Sequence, residues 1–221
     1  MAKHLQRELE NIKKRILSLG AMVEERVRMA INAMDLRDSN LAAKIIKNDY
    51  EIDEREVEVE EECLKILALH QPVAVDLRFL IAVIKINNDL ERIGDHAVNI
   101  AERVENISRR KKVEPLFDYS EMAEKSASML KMSLDALVNL DIDLAFKVLA
   151  FDDEIDQMHR DNYDRIKEVI KAHYEDIGYL INFYQISAHL ERIADLSTNI
   201  GEEVIYLIEG EIVRHGRWDI T

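Results

Sequence analysis

From Leu5 to about Leu36 the apolar residues Leu5, Leu9, Ile12, Ile16, Leu19, Val23, Val27, Ala30 and Met34 recur at steps of three and four. That spacing puts them on one face of a long amphipathic helix. Asp38 and Ser39 offer an N-cap for a second helix, which carries Ile45, Ile52, Val59 and Ile66 on one face and runs to about Leu69. His70-Gln71-Pro72 breaks it, because Pro72 has no amide proton and disfavours helix in the residue before it. The pattern predicts a third helix from near Val73, with Pro72 at or just before its first turn. Its buried face is Leu90, Ile93, Ala97, Ile100, Val104 and Ile107.

The pattern then repeats. Leu90-Glu91-Arg92-Ile93-Gly94-Asp95-His96-Ala97-Val98-Asn99-Ile100-Ala101-Glu102-Arg103-Val104 returns as Leu190-Glu191-Arg192-Ile193-Ala194-Asp195-Leu196-Ser197-Thr198-Asn199-Ile200-Gly201-Glu202-Glu203-Val204, with nine of fifteen positions identical. Upstream, Asn40-Leu41-Ala42-Ala43-Lys44 is echoed by Asp143-Leu144-Ala145-Phe146-Lys147 at an offset of 103. The offset falls to 100 across the break at His173 to Gly178, so three residues were lost there. The final helix should run from about Tyr179 to Arg214. A duplicated unit of this kind sets the architecture: an all-α fold of six long helices in two tandem antiparallel three-helix bundles. The expected divisions are residues 1–110, a linker over 111–118 and residues 119–221, the last ending in a short tail.

Composition narrows the function. Six Gly and two Pro in 221 residues leave little turn chemistry for a β-rich fold. A formal charge of −14 argues against a nucleic-acid partner, and the one basic run, Arg109-Arg110-Lys111-Lys112, is short. The single Cys63 excludes an intrachain disulfide, fits a reducing compartment and reads as a small core residue. The charged N-terminus is no signal peptide, and the longest apolar run, Phe79 to Ile84, is far too short for a membrane span. These features describe a soluble cytoplasmic protein. No phosphate-binding Gly-rich loop, nucleophile elbow or CxxC is present, and no enzyme is expected.

The candidate chemistry lies in paired carboxylates. The second helix of each unit carries Asp49/Asp53 and Asp152/Asp156; the third carries Glu91/Asp95 and Glu191/Asp195. Acids four apart lie one above the other on a helix and can present oxygens to one point. The midpoints of the first two pairs, residues 51 and 93, are equidistant from Pro72 in the predicted turn. In the second unit, 154 and 193 are centred between His173 and Tyr174, again in the break. Antiparallel helices leaving a common turn therefore bring the pairs to one level. Four carboxylates there repel unless protonated or bound to a cation, and an all-oxygen set suits Mg²⁺, Ca²⁺, Mn²⁺ or iron. In a chain with 33% charged residues a lone pair of this kind is ordinarily a wet helix face. The wheel places Glu91 and Asp95 opposite the apolar stripe, so any metal would sit in a surface groove. His96 and His159 have no counterpart in the other repeat (Leu196 and Glu56) and read as accessory. Met22, Met29 and Met34 read as core filling, and Trp218 could cap a bundle or an interface.

With these features in view, the sequence resembles the PhoU family of phosphate-uptake regulators. The residues carrying the match are Leu67 to Arg78, Lys85 to Glu102, and the repeat from His189 to Glu203, together with Leu19 to Glu24 and Asp49 to Asp53. The resemblance covers essentially the whole chain and implies two similar three-helix bundles. It implies metal at Asp49, Asp53, Glu91, Asp95, Asp152, Asp156, Glu191 and Asp195, with iron in multinuclear surface clusters and Mn, Mg, Ni or Zn as alternatives. His189 stands where the first unit has Asp89, so the two sites need not match. The implied role is regulatory: restraint of phosphate uptake and phosphate-starvation signalling through contacts with the ATPase component of the phosphate ABC transporter and its sensor histidine kinase. It leaves room for a homodimer and implies no direct membrane insertion. The competing readings are a carboxylate-bridged iron bundle with oxidase or storage activity and a metal-free scaffold. The first normally uses Glu-x-x-His pairs, and this chain has no such spacing.

Overall fold

The computed structural model describes residues 2–110 and 117–211, and among them there is no strand. The helices are α1 (Ala2–Leu36), α2 (Ser39–Lys47), α3 (Tyr50–His70), α4 (Val75–Ser108), α5 (Ser120–Asn139), α6 (Ile142–Ala172) and α7 (Ile177–Glu209). A single 3₁₀ turn, Tyr174–Asp176, precedes α7. They make six rods, because α2 and α3 are two segments of one. None is long and apolar enough to cross a membrane. The expected linker 111–118 falls mostly outside the described residues, as do Lys111, Lys112, Arg214 and Trp218.

The two repeats start their second rods in the same way. Arg37 and Leu140, 103 residues apart, both take left-handed backbone (φ 51° and 50°) just before the caps. Asp38 then accepts from the amides of Asn40 and Leu41, and Asp141 from that of Leu144. Each cap satisfies amides that the first turn leaves without partners.

After that the rods differ. The expected continuous second helix is broken at Asn48 and Asp49, whereas α6 runs unbroken through the equivalent positions. The reason comes from another helix. Buried Arg26 on α1 donates to the carbonyls of Ile45 (3.2 Å) and Asn48 (2.9 Å) and pairs with Glu51 (3.1 Å). It thus gives a second, charged donor to two carbonyl oxygens at the break, which also accept from the amides of Asn48 and Glu51. At the same offset of 103 the second repeat has Met129, which is apolar and buried, and no break forms.

The third helix starts at Val75 rather than near Val73, so Pro72 lies ahead of the first turn. Ala74 (φ 50°, ψ −114°) and Gln71 (φ 45°) hold the corner in backbone that residues with a Cβ rarely adopt. The final helix ends at Glu209, where Gly210 supplies the left-handed residue that commonly closes a helix.

The repeats do not keep separate cores. One apolar cluster runs through both, and the most extensive helix interface joins α4 to α7. Lys85 reaches Glu203 (2.9 Å), His96 reaches His189 (3.2 Å), and Arg103 reaches Gln185 (3.2 Å). Numbers rising on one helix as they fall on the other make the pair antiparallel. Shifting Lys85–Glu203 by the repeat offset of 100 gives Gln185–Arg103, so the two repeats are related by a pseudo-twofold through this interface. As the central pair, α4 and α7 are buried on more than one face: Ala82, Val83, Ile86, Leu90, Ile93, Ala97 and Ala101 on α4 are all 0% exposed.

Candidate metal centres

The second and third rods pack closely in both repeats. A Cβ on Gly94 would meet Ile52 of α3 at 3.0 Å, and one on Gly201 would meet Leu149 of α6 at 2.9 Å. Gly94 thus lets α4 approach α3 directly beside Asp95, whereas Gly201 lies six residues beyond Asp195 and lets α7 approach α6 away from the acids. In the first repeat Asp49, Asp53 and Asp95 offer oxygens that all lie within 4.8 Å of one another; in the second, Asp156, Glu191 and Asp195 do. The groups are half-buried or exposed, in surface grooves between the second and third rods.

Of the eight acids singled out by spacing, six assemble in these two groups and two, Glu91 and Asp152, stand beside them. The selection is not symmetric. The first group takes both acids of the second rod, and Asp49 stands at the break. The second group takes both acids of α7, while Asp152 lies within the continuous α6. Both outlying acids still sense their groups. Glu91 is pushed up to about 6 by burial and then by Asp95, Asp53 and Glu56. Asp152 is pushed up to about 6 by burial and then by Asp195 and Asp156.

Asp49, Asp95, Glu191 and Asp195 shift in the same direction. Burial, then Asp53 and Asp95, raises Asp49; burial, then Asp53, raises Asp95. Glu191 is pushed up to about 7 by burial and by Asp195, against the opposing pull of Arg192. Asp195 is raised by burial although Arg192 pairs with it. Desolvation and like charge both disfavour carboxylate anions, and a bound cation relieves both. Clustered oxygens with raised proton affinity thus fit a hard cation or iron.

Local counter-charge separates the two groups. Arg192 contacts Asp195 (2.8 Å) and Glu191 (3.6 Å), and Arg160 contacts Asp156 (3.3 Å). Among the described residues, no cationic side chain forms an ion pair with Asp49, Asp53 or Asp95; Arg92 turns instead toward Asp89 (3.8 Å). Sequence reasoning missed this asymmetry, although one part of it was visible. Asp156 and Arg160 are four apart, and the first repeat has Val57 where Arg160 would be.

The histidines lie elsewhere. His96 meets His189 across the pseudo-twofold, and burial, then His189 itself, lowers its pKa to about 4. His159 contacts the Ser187 hydroxyl (2.9 Å) and stacks on Tyr184. Cys63 is fully buried, and burial pushes its thiol up to about 12.

With this geometry in hand, comparison with known proteins is informative. The PhoU domain model matches residues 16–104 and 119–204. The phosphate-specific transport system accessory protein PhoU homolog of Clostridium acetobutylicum is 35% identical over 207 residues, covering 93% of this chain and 94% of that protein. The PhoU accessory protein of Escherichia coli K12 is 31% identical over 208 residues, covering 94% and 86%. The crystal structure of PhoU from Pseudomonas aeruginosa superposes with a TM-score of 0.89 at 33% identity, over 93% of this chain and 99% of that one. The phosphate transport system regulatory protein PhoU from Streptococcus pneumoniae gives 0.84 at 32%, over 96% and 100%. Two matched repeats, whole-chain relatives and a shared helical architecture lead to one conclusion: the chain belongs to the PhoU family.

Proposed function

We propose that this protein is a cytoplasmic, metal-binding regulator that restrains phosphate uptake and phosphate-starvation signalling through protein contacts rather than catalysis. The observation that carries the reading is family membership over nearly the whole chain, with relatives named as accessory proteins of a phosphate-specific transport system. The two carboxylate groups support the metal part of the reading. They bring six of the eight proposed ligands, Asp49, Asp53, Asp95, Asp156, Glu191 and Asp195, into two clusters, with Glu91 and Asp152 adjacent. Iron is the first candidate, and the partners expected are the ATPase component of the phosphate ABC transporter and its sensor histidine kinase.

A cation in either groove would cross-link the second and third rods of its repeat and fix their spacing. It would also neutralise acids on the surface beside it, giving a partner a stiffer and less repulsive face.

Two measurements test the proposal. In cells lacking the gene, phosphate uptake under phosphate-replete conditions should rise and return to normal on complementation; unchanged uptake would overturn the regulatory reading. Elemental analysis of tag-free protein should show metal that falls stepwise in Asp53→Asn/Glu91→Gln and in Asp156→Asn/Glu191→Gln, with helix content intact. Metal at background level in wild type, before and after reconstitution, would remove the metal part alone.

A further inference from the structure

Away from both grooves, the first turns of α1 meet the end of α3 in a cluster of different chemistry. Glu8 lies between two imidazoles. Its Oε1 is 3.6 Å from His4 Nε2, one turn back on α1, and its Oε2 is 2.6 Å from His70 Nε2 on α3. The Glu8 and His70 side chains are only 16% and 15% exposed. Despite the short contact with His70, the buried Glu8 Oε2 receives no hydrogen bond. A buried carboxylate oxygen without a donor is costly, and a cation is one of the few groups that satisfies it in so little space.

We propose that His4, Glu8 and His70 form a third cation site, selective for a borderline divalent transition metal of the zinc class. Two imidazoles and one carboxylate, with water as the fourth ligand, are a recognised zinc donor set, whereas all-oxygen groups favour harder ions. As they stand, the three donors are not all within 4.8 Å of one another, so an ion must draw them together. Two histidines on one tetrahedral ion hold their ring centroids about 5 Å apart, given metal–nitrogen bonds of about 2 Å. Here the centroids are 5.6 Å apart and the rings meet edge to face. Closing the site takes a rotation of His4, whose side chain is 68% exposed and free to turn, and a small withdrawal of Glu8 from His70. The bound ion ties α1 to the corner that follows α3, where Gln71 and Ala74 are held at positive φ and Val73 and Val75 are exposed. The site therefore anchors the corner between the second and third rods of the first repeat.

The test uses full-length, tag-free protein carrying Asp53→Asn, Glu91→Gln, Asp156→Asn and Glu191→Gln, so that both groove groups are weakened. After chelator treatment it is titrated with Zn²⁺ by calorimetry and with Co²⁺ by visible absorption. One equivalent of Zn²⁺ should bind, Co²⁺ should give the intense bands of a four-coordinate nitrogen–oxygen site, and both signals should vanish in His4→Ala and His70→Gln. Uptake unchanged by these substitutions, or no uptake in the parent, would overturn the proposal. His4→Ala decides the matter if His70→Gln loses helix content, because His4 is exposed. The outcome is separable from groove binding, because only uptake that His4→Ala removes is assigned to this site.

Discussion

Glu191 gives the sharpest prediction, because the substitution should strengthen the metal-free fold while weakening the metal site. Its carboxyl, 19% exposed, titrates near 7 instead of 4.5. The native state therefore holds its proton more tightly than the unfolded chain does. Stability from this group is fully present below pH 4.5 and is lost as the pH rises through about 7. At ~1.36 kcal/mol per tenfold change, the gap between the two values sets a ceiling of ~3 kcal/mol on the cost of ionising Glu191 in the fold. Solvent reaching the groove reduces that to ~1–2 kcal/mol. Glu191→Gln removes the charge and keeps the shape. In chelator-treated protein the variant should match wild type near pH 4.5 and exceed it by ~1–2 kcal/mol above about pH 7.5. Urea unfolding at a series of pH values measures this. Only the difference curve is meaningful, since Asp152 and Asp195 titrate with Glu191 as one coupled set. With saturating metal the order should reverse. A variant less stable than wild type at high pH without metal, or a difference that ignores pH, would refute the reasoning.

Other residues allow simpler tests. Arg26→Met should cost ~2–4 kcal/mol in urea unfolding, because two hydrogen bonds from a charged donor at the break are lost. That Met129 is accommodated at the equivalent place should not rescue it, since α6 has no break there, and a loss under about 1 kcal/mol would contradict this account. Cys63, buried and with its thiol near 12, should resist thiol reagents in the native protein and react fully once denatured; rapid native labelling would mean the site opens readily. Arg192→Gln should tighten divalent-cation binding at the second group about tenfold, as a resident guanidinium leaves Asp195 and Glu191. Equal affinity by calorimetry would show that the arginine already swings away when metal binds.

Much of this was legible along the chain because it depends on neighbouring residues. Asp38 was read as a cap from its type and place, and the repeat offset of 103 puts Asp141 in the same position. Both indeed accept from first-turn amides. The count from Pro72 and from His173 placed the acid pairs at common levels, because helical rise is the same on both sides of a turn. The break at Asn48 and Asp49 was not legible. Ile45 and Ile52 continue the apolar stripe across it, and the donor that stabilises it comes from Arg26, nineteen residues away from Ile45. Nor did the wheel show that α4 would be enclosed on more than one face, since the surface that buries it belongs to the other repeat.

By itself the sequence determined the six rods, the cap that opens the second, the duplication and the acids available to each groove. These follow from periodicity and capping, whose energies are settled within a turn or two of chain. The tertiary structure decided which acids meet, that the second group carries its own arginines, and that His96 faces His189 rather than a carboxylate. Those outcomes depend on how closely and at what rotation distant helices pack, as at Gly94 against Ile52 and Gly201 against Leu149. Side chains a hundred residues apart are matched only when that packing is complete.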